Sequence, residues 1–541
     1  MVASPQADAT RIGVSVLEAG GNAIDAAIAV SLALSVSDGH HSGIGGGGFL
    51  LIRLADGRAF AVDARETAPA AAHRDMYVEE GVHEHASRIG ALSVGTPGLV
   101  AGLALARERW GTRPWAELVE PAANLADEGF AIGRNHSRSL GFWERFVGAE
   151  RFPGTAAIQL DAGQAPSEGW RLVQKDKAAT LRRLAAEGPD LFYRGDVAAA
   201  IAAVIQERGG ILTEADLANY EPRVREPIRG TYRGYDVLSF PPPSSGGIAL
   251  VEILNVLEGY ELGPLGAGSS ASVHRVAEAM KLAFADRAAY LGDSDFVDVP
   301  IAGLIAKDYA SKLRSRINPP RWQRAPWTWG RDEVAIRVEG PGEPASGGGT
   351  THFSITDAAG NAVAVTQTIN LILGSGITVP GTGIVLNDEM DDFSVAPDTP
   401  NAFGLVDTTG ANAVAPGKRP LSSMTPTVIV KDGKPFMVTG SPGGPRIITT
   451  TLLSILNVID WEMDVMEAVS APRFHHQWVP DRVAVEPAFS RDVVEALEAR
   501  GHEVQVSERN WSSAQAIVVD PESGRHYGGS DPRSDGLALG P

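Results

Sequence analysis

Gly347-Gly348-Gly349-Thr350-Thr351-His352-Phe353-Ser354-Ile355 sets three glycines against a threonine and the start of a strand. Glycine accepts backbone conformations that a side chain forbids, whereas a buried strand holds regular ones. The junction concentrates strain at the Gly349-Thr350 peptide bond. Cleavage there would make Thr350 a new amino terminus, with its hydroxyl as nucleophile and its own α-amine as base. A free α-amine titrates at roughly 7.7–8.0, close to the ideal for a general base at neutral pH. Threonine paired with an N-terminal amine is one of the activated nucleophiles of covalent catalysis. Read locally, the same residues are also a Gly-rich loop entering an ordinary strand, so the rest of the chain has to decide.

Outward from the junction, Phe353 and Ile355 alternate with His352 and Ser354, the period of a strand. Residues 357–361 read as a turn and 362–370 as the returning strand. On that second strand Ala364, Thr366, Thr368 and Asn370 share one face, and Val363 and Val365 the other. Small and polar residues suit a face that carries a catalytic site. Asp56-Gly57 and Asp432-Gly433 each predict a further hairpin. Residues 6–36 read as two Ala-rich helices divided at Gly20-Gly21-Asn22. Residues 95–130, 177–187, 195–208 and 270–291 also read as mostly helical, and 486–505 as a helix followed by a strand. Two sheets covered by helices fit this alternation.

With 44% hydrophobic and 21% charged residues, the chain has ordinary globular composition. A net charge of −19 argues against nucleic-acid and anionic-membrane partners. The absence of cysteine excludes disulfides, a thiol nucleophile and a zinc–thiolate site. The most apolar run, residues 26–36, is too short to span a bilayer. Met1-Val2-Ala3-Ser4-Pro5 lacks the basic region and apolar core of a leader. That reads as cytoplasmic, with a periplasmic or secreted protein as the alternative if a leader has been trimmed. The one candidate boundary is the stretch 319–349, rich in Pro, Gly, Trp and Arg.

Other motifs flank the junction at ordered intervals. Upstream stand Gly43-Ile44-Gly45-Gly46-Gly47-Gly48-Phe49, Arg65-Glu66-Thr67-Ala68-Pro69 and Pro241-Pro242-Pro243-Ser244-Ser245-Gly246-Gly247. Downstream stand Asn387-Asp388-Glu389-Met390-Asp391-Asp392-Phe393, Lys418-Arg419-Pro420-Leu421-Ser422-Ser423-Met424, Gly440-Ser441-Pro442-Gly443-Gly444 and Ala471-Pro472-Arg473-Phe474-His475-His476-Gln477-Trp478. Together they resemble the γ-glutamyltransferase family of N-terminal-nucleophile hydrolases, from about Val2 to Asp531. The resemblance implies an α+β fold, a four-layer αββα sandwich. It implies one folded unit made of two autoproteolytic fragments, a large subunit 1–349 and a small subunit 350–541, joined as a heterodimer. It makes 319–349 a processing loop.

The resemblance also implies roles. Thr350 is the nucleophile both for self-cleavage after Gly349 and for attack on a γ-glutamyl amide, and Thr368 hydrogen-bonds it. Gly443 and Gly444 offer backbone N–H groups to the oxyanion. Arg65 clasps the substrate α-carboxylate, as a guanidinium fork can, and Ser422 and Ser423 add hydroxyls. Asn370, Glu389 and Asp392 receive the α-ammonium. Glutathione or another γ-glutamyl compound is the implied donor, and water, an amino acid or a dipeptide the acceptor. No cofactor or metal is implied. The acids around Asp392 lack the spacing of an EF-hand, and His40-His41 and His475-His476 suggest no third ligand. Residues 45–48 lack the Lys-Ser/Thr that completes a phosphate loop and read as a close-packed turn near the site.

The chain departs from the family pattern at Phe403, which takes the place of a lid tyrosine in the stretch Pro397-Asp398-Thr399-Pro400-Asn401-Ala402-Phe403. A phenyl ring covers a pocket by apolar contact but cannot hydrogen-bond Asn370. Three rival readings stand beside the main one. They are a glutaryl-type cephalosporin acylase on the same fold, an uncut γ-glutamyl-binding protein, and a transpeptidase anchoring polyglutamate capsule to the cell wall.

Overall fold

The computed structural model describes residues 1–317, 349–396 and 399–541. Most of the expected processing loop, and the first two residues of the lid-like stretch, lie outside the described residues.

The predicted hairpin at the Gly-Thr junction forms. Strand Gly349–Thr356 pairs antiparallel with strand Ala362–Asn370, with Val365 opposite Phe353 and Thr368 opposite Thr350. The pairing slips between Thr368 and Asn370, where Gly349 faces Asn370 instead of the next residue in register. Such a bulge bends a strand and re-aims its side chains. Alternation carries Phe353, Ile355, Val363 and Val365 onto one face, packed on the Ala-rich helix Ala23–Ser37. That helix is buried along its whole length, and Asn22 caps it in a reciprocal capping box with Asp25.

This hairpin lies at the middle of a seven-stranded sheet. The order is Leu537–Leu539, Val2–Ser4, Gly349–Thr356, Ala362–Asn370, Gly47–Arg53, Ala59–Ala64, Arg223–Arg225. A second sheet of six strands runs His526–Ser530, Gln515–Val519, Lys434–Gly440, Thr427–Lys431, Tyr235–Ser239, Ile228–Tyr232. Three apolar clusters separate the layers. One fills the space between the first sheet and its helices. A small one, with Phe49, Leu51, Ala364, Phe240 and Val438, lies between the two sheets. A third joins the second sheet to helices Gly246–Leu257, Ser270–Tyr290 and Arg446–Ile459. The result is helix, sheet, sheet, helix, the four-layer αββα sandwich.

Both sheets interleave residues from before and after position 349. Val2 pairs with Ile355, and the strand Gly47–Arg53 pairs with Ala362–Thr368 along seven residues. In the second sheet Tyr235–Ser239 pairs with Thr427–Lys431. Neither half of the chain completes a sheet by itself.

Candidate active site

Thr350 and Thr368 face each other across the hairpin, with their hydroxyl oxygens 3.0 Å apart. The Thr368 hydroxyl donates to the Gly349 carbonyl at 2.7 Å, and its oxygen accepts the Asn370 N–H at 2.8 Å. A hydroxyl has one proton. With that proton on Gly349, Thr368 can only accept from Thr350, so the Thr350 hydroxyl donates. The bulge after Thr368 is what turns the Asn370 N–H inward, and Asn370 holds a φ of +75°. Gly349 itself packs on the Leu371 carbonyl, which would lie 2.3 Å from any Cβ. No other residue fits there.

A second group of residues gathers around Arg65, which is fully buried. Its guanidinium donates to Glu389, to Asp392 at 2.5 Å and to the Pro420 carbonyl at 3.1 Å, with Glu66 3.7 Å away. Three buried carboxylates thus surround one guanidinium. Burial disfavours the charge on Arg65, yet Glu389, Asp392 and Glu66 outweigh it and hold the group more basic than usual. The acids answer in the opposite sense. Burial pushes Glu66 up to about 7 against the pull of Arg65, and it drives Glu389 well above and Asp392 above the usual carboxylate range. Behind Asp392 stands Arg287, a buried cation lowered to about 10 by desolvation. Among the described residues the Glu389 Oε2, both Glu66 oxygens and the Ser423 hydroxyl have no hydrogen-bond partner. Buried polar atoms are seldom left so.

The two groups meet in one pocket. Thr350, Thr368 and Asn370 line it together with Arg65, Glu389 and Asp392. Ser422, Ser423, Gly444 and Phe403 also line it, with Leu405, Met424 and Ile447. Gly443 lies on the neighbouring cleft of about 520 Å³, which Thr350 and Phe403 also border. Every residue predicted to bind or react therefore lies on one of two adjoining cavities that share Thr350.

Gly443 and Gly444 adopt φ of +129° and +57°, conformations that favour glycine. Their carbonyls accept the Arg446 and Ile447 N–H groups at 3.1 Å and open helix Arg446–Ile459, whose positive end therefore points toward the site. The Phe403 ring covers Gly444, with its Cδ1 2.6 Å from where a Cβ would be. Phe403 is itself held from behind, since its N–H donates to Asn401 and its carbonyl accepts from Gln477. The Asn370 amide donates to the Asp388 carbonyl at 3.0 Å.

Sequence reading missed the group that flanks Thr350 on the cleft side. Thr351 donates to Asp38, and Asp38, His40, His41 and His136 line the cleft wall. The double-histidine pair at 475–476 is otherwise engaged. His475 bonds Thr449 and Gln477, and His476 meets Asp481 at 3.2 Å. Asp531 and Arg533 tie the last strands to Arg473 and Glu486, a structural role.

A sequence profile for gamma-glutamyltranspeptidase matches residues 9–540. The chain belongs to the γ-glutamyltranspeptidase family. It is 46% identical to the glutathione hydrolase proenzyme of Escherichia coli, over all of this chain and 91% of that protein. It is 41% identical to the acylase ACY 1 proenzyme of a Pseudomonas strain, over all of this chain and 93% of that one. Among solved structures, the cephalosporin acylase of Bacillus halodurans matches with a TM-score of 0.86 at 29% identity, covering all of this chain and 95% of the other. The N-terminal-nucleophile fold expected from the sequence is the fold observed.

Proposed function

We propose that the chain is a self-activating γ-glutamyltransferase and glutathione hydrolase. The observation that carries this reading is the shared pocket, in which a hydroxyl pair on one wall faces a guanidinium with surplus buried carboxylates on the other.

Maturation comes first. The Thr350 oxygen attacks the carbonyl carbon of Gly349, and Thr368, already bonded to that carbonyl oxygen, stabilises the charge that develops there. An N→O shift yields an ester, and water cleaves it. The fragments 1–349 and 350–541 then remain one heterodimer, because both sheets and the buried Arg65–Glu389 pair cross between them. Cleavage frees the Thr350 α-amine as the base for later rounds.

Turnover uses the same oxygen. Thr350 attacks the γ-carbonyl of the donor, and the N–H groups of Gly443 and Gly444 receive the oxyanion. Such donors contribute about 3 kcal/mol each in other acyl-transfer enzymes. The α-carboxylate goes to Arg65, with Ser422 and Ser423 beside it, and the α-ammonium goes to Glu389, Asp392 and Asn370. The surplus of buried acid over guanidinium gives the ammonium its site. The amine product leaves, and water or an amino acid or dipeptide amine releases the γ-glutamyl ester. Phe403 closes the oxyanion loop by apolar contact with Gly444.

The acylase relatives give a second reading weight, since 41% identity spans the whole chain. A glutaryl group lacks the α-ammonium and would leave the acids with no cation beyond those already buried beside them, which is costly where acid oxygens lack partners. The deciding experiment compares γ-glutamyl-p-nitroanilide with glutaryl-p-nitroanilide on the matured protein. The γ-glutamyl substrate is expected to have the higher kcat/KM by about 100-fold. Equal rates, or a preference for the glutaryl compound, would overturn the reading.

A further inference from the structure

The cleft wall beside Thr350 carries three imidazoles in a stack. The rings of His41 and His136 each lie 3.8 Å from that of His40. Asp38 approaches the same stack, with its Oδ1 3.1 Å from His41 Nδ1 and 3.7 Å from His40 Nδ1. His40 is 1% exposed, and neither of its ring nitrogens has a hydrogen-bond partner among the described residues. A buried imidazole with two unpartnered nitrogens is rare in a folded protein.

We propose that Asp38, His40 and His41 bind one divalent transition-metal ion of the zinc class on the wall of the nucleophile's cleft. The three ligand atoms all lie within 4.8 Å of one another. Zinc bonds of about 2.0–2.2 Å in a tetrahedron place neighbouring donors roughly 3.3–3.6 Å apart. The separations of 3.1 and 3.7 Å from the Asp38 oxygen to the two imidazoles bracket that range. Two imidazoles and one carboxylate suit zinc, cobalt or nickel rather than calcium or magnesium. With Nδ1 on the ion, His41 directs its Nε2 toward the Ser139 hydroxyl at 3.5 Å, a contact of the kind that orients metal-bound histidines. Three protein ligands leave a fourth position open to the cleft. The other Asp38 oxygen keeps Thr351, the residue next to the nucleophile, so a bound ion acts on the side of the cleft away from the Arg65 pocket. This site goes against the sequence expectation of no metal, which lacked the third ligand. A second group, His274, Glu278 and His502, is less suited, because Lys281 already holds Glu278 at 3.0 Å.

The test is metal titration of the matured, chelator-treated protein. Cobalt(II) is followed by its visible ligand-field bands and zinc(II) by calorimetry, neither of which depends on turnover. One ion per chain is expected, with the intense bands of four-coordinate cobalt and their loss on adding zinc. His41→Gln and His40→Gln should each weaken binding by about 100-fold, whereas His502→Gln should leave it unchanged. His41 is partly exposed, so its variant keeps the test valid should the His40 variant fold poorly. Absence of one-to-one binding by the wild type overturns the proposal. So does unchanged affinity in the His41 and His40 variants, or loss in His502→Gln alone.

Discussion

The two walls of the pocket are built on opposite principles. On the hairpin wall the two hydroxyls and the Asn370 N–H satisfy one another. Thr350 donates to Thr368, Thr368 to the Gly349 carbonyl, and the Asn370 N–H closes the set. On the acid wall three acids share one guanidinium. Arg65 faces Glu66, Glu389 and Asp392, and several of their oxygens are unpartnered. The first wall is complete before any substrate arrives, as a group that must first cut its own chain requires. The second keeps unpartnered acid oxygens, which the proposed α-ammonium of a donor would meet. Chemistry is set by strand register here, and recognition by electrostatic surplus.

Breaking the hairpin wall should have the largest effect. Thr350→Ala removes the nucleophile of both steps, and loss of one such group costs on the order of 10⁴-fold or more in turnover. Intact mass should show a single uncut chain, whereas Thr350→Ser should still cut. Next in size is Thr368→Val, which keeps the shape and deletes the hydroxyl. Cleavage should slow by about 10²–10³-fold, the loss expected for one donor to a developing oxyanion. A time course on denaturing gels reads it directly, and wild-type cleavage rates in this variant would remove Thr368 from the mechanism.

The acid wall should respond in binding instead. Asp392→Asn should raise KM for a γ-glutamyl anilide by about 10–100-fold with a smaller change in kcat. It should leave a glutaryl anilide unaffected. An unchanged γ-glutamyl KM would dissociate Asp392 from the ammonium.

The smallest effect concerns stability. The Glu66 carboxyl is raised from 4.5 to about 7 by burial, so the folded state holds that proton more tightly than the unfolded chain does. The associated stability is full below the unfolded value and is lost as pH rises through the folded one. Glu66→Gln removes the loss. Its thermal midpoint should exceed that of the wild type at about pH 8 and match it near pH 4.5. A midpoint gain of equal size at both values would rule out the titration as its cause.

How much of this could be read from the chain depended on range. Period-two alternation at Phe353, Ile355, Val363 and Val365, with Asp-Gly turns elsewhere, marked the hairpins correctly because those signals are local. The bulge after Thr368 was not legible, since pairing slips are settled by the partner strand. Roles for Arg65, Glu389 and Asp392 followed from family resemblance, yet their mutual pairing across more than 300 residues is a product of the fold. Asp38 and the histidine stack went unassembled for the same reason. Asp38 meets Thr351 only once the helix Ala23–Ser37 and the strand Gly349–Thr356 are packed, and His40 meets His136 only once the helix Arg134–Phe146 lies beside them.

The most direct measurement is the intact mass of the purified wild-type protein after incubation at neutral pH. Two species, ending at Gly349 and beginning at Thr350, are the expected result. A single full-length chain, folded and uncut, would contradict the reading of Thr350 as a self-made N-terminal nucleophile and leave a γ-glutamyl-binding protein in its place.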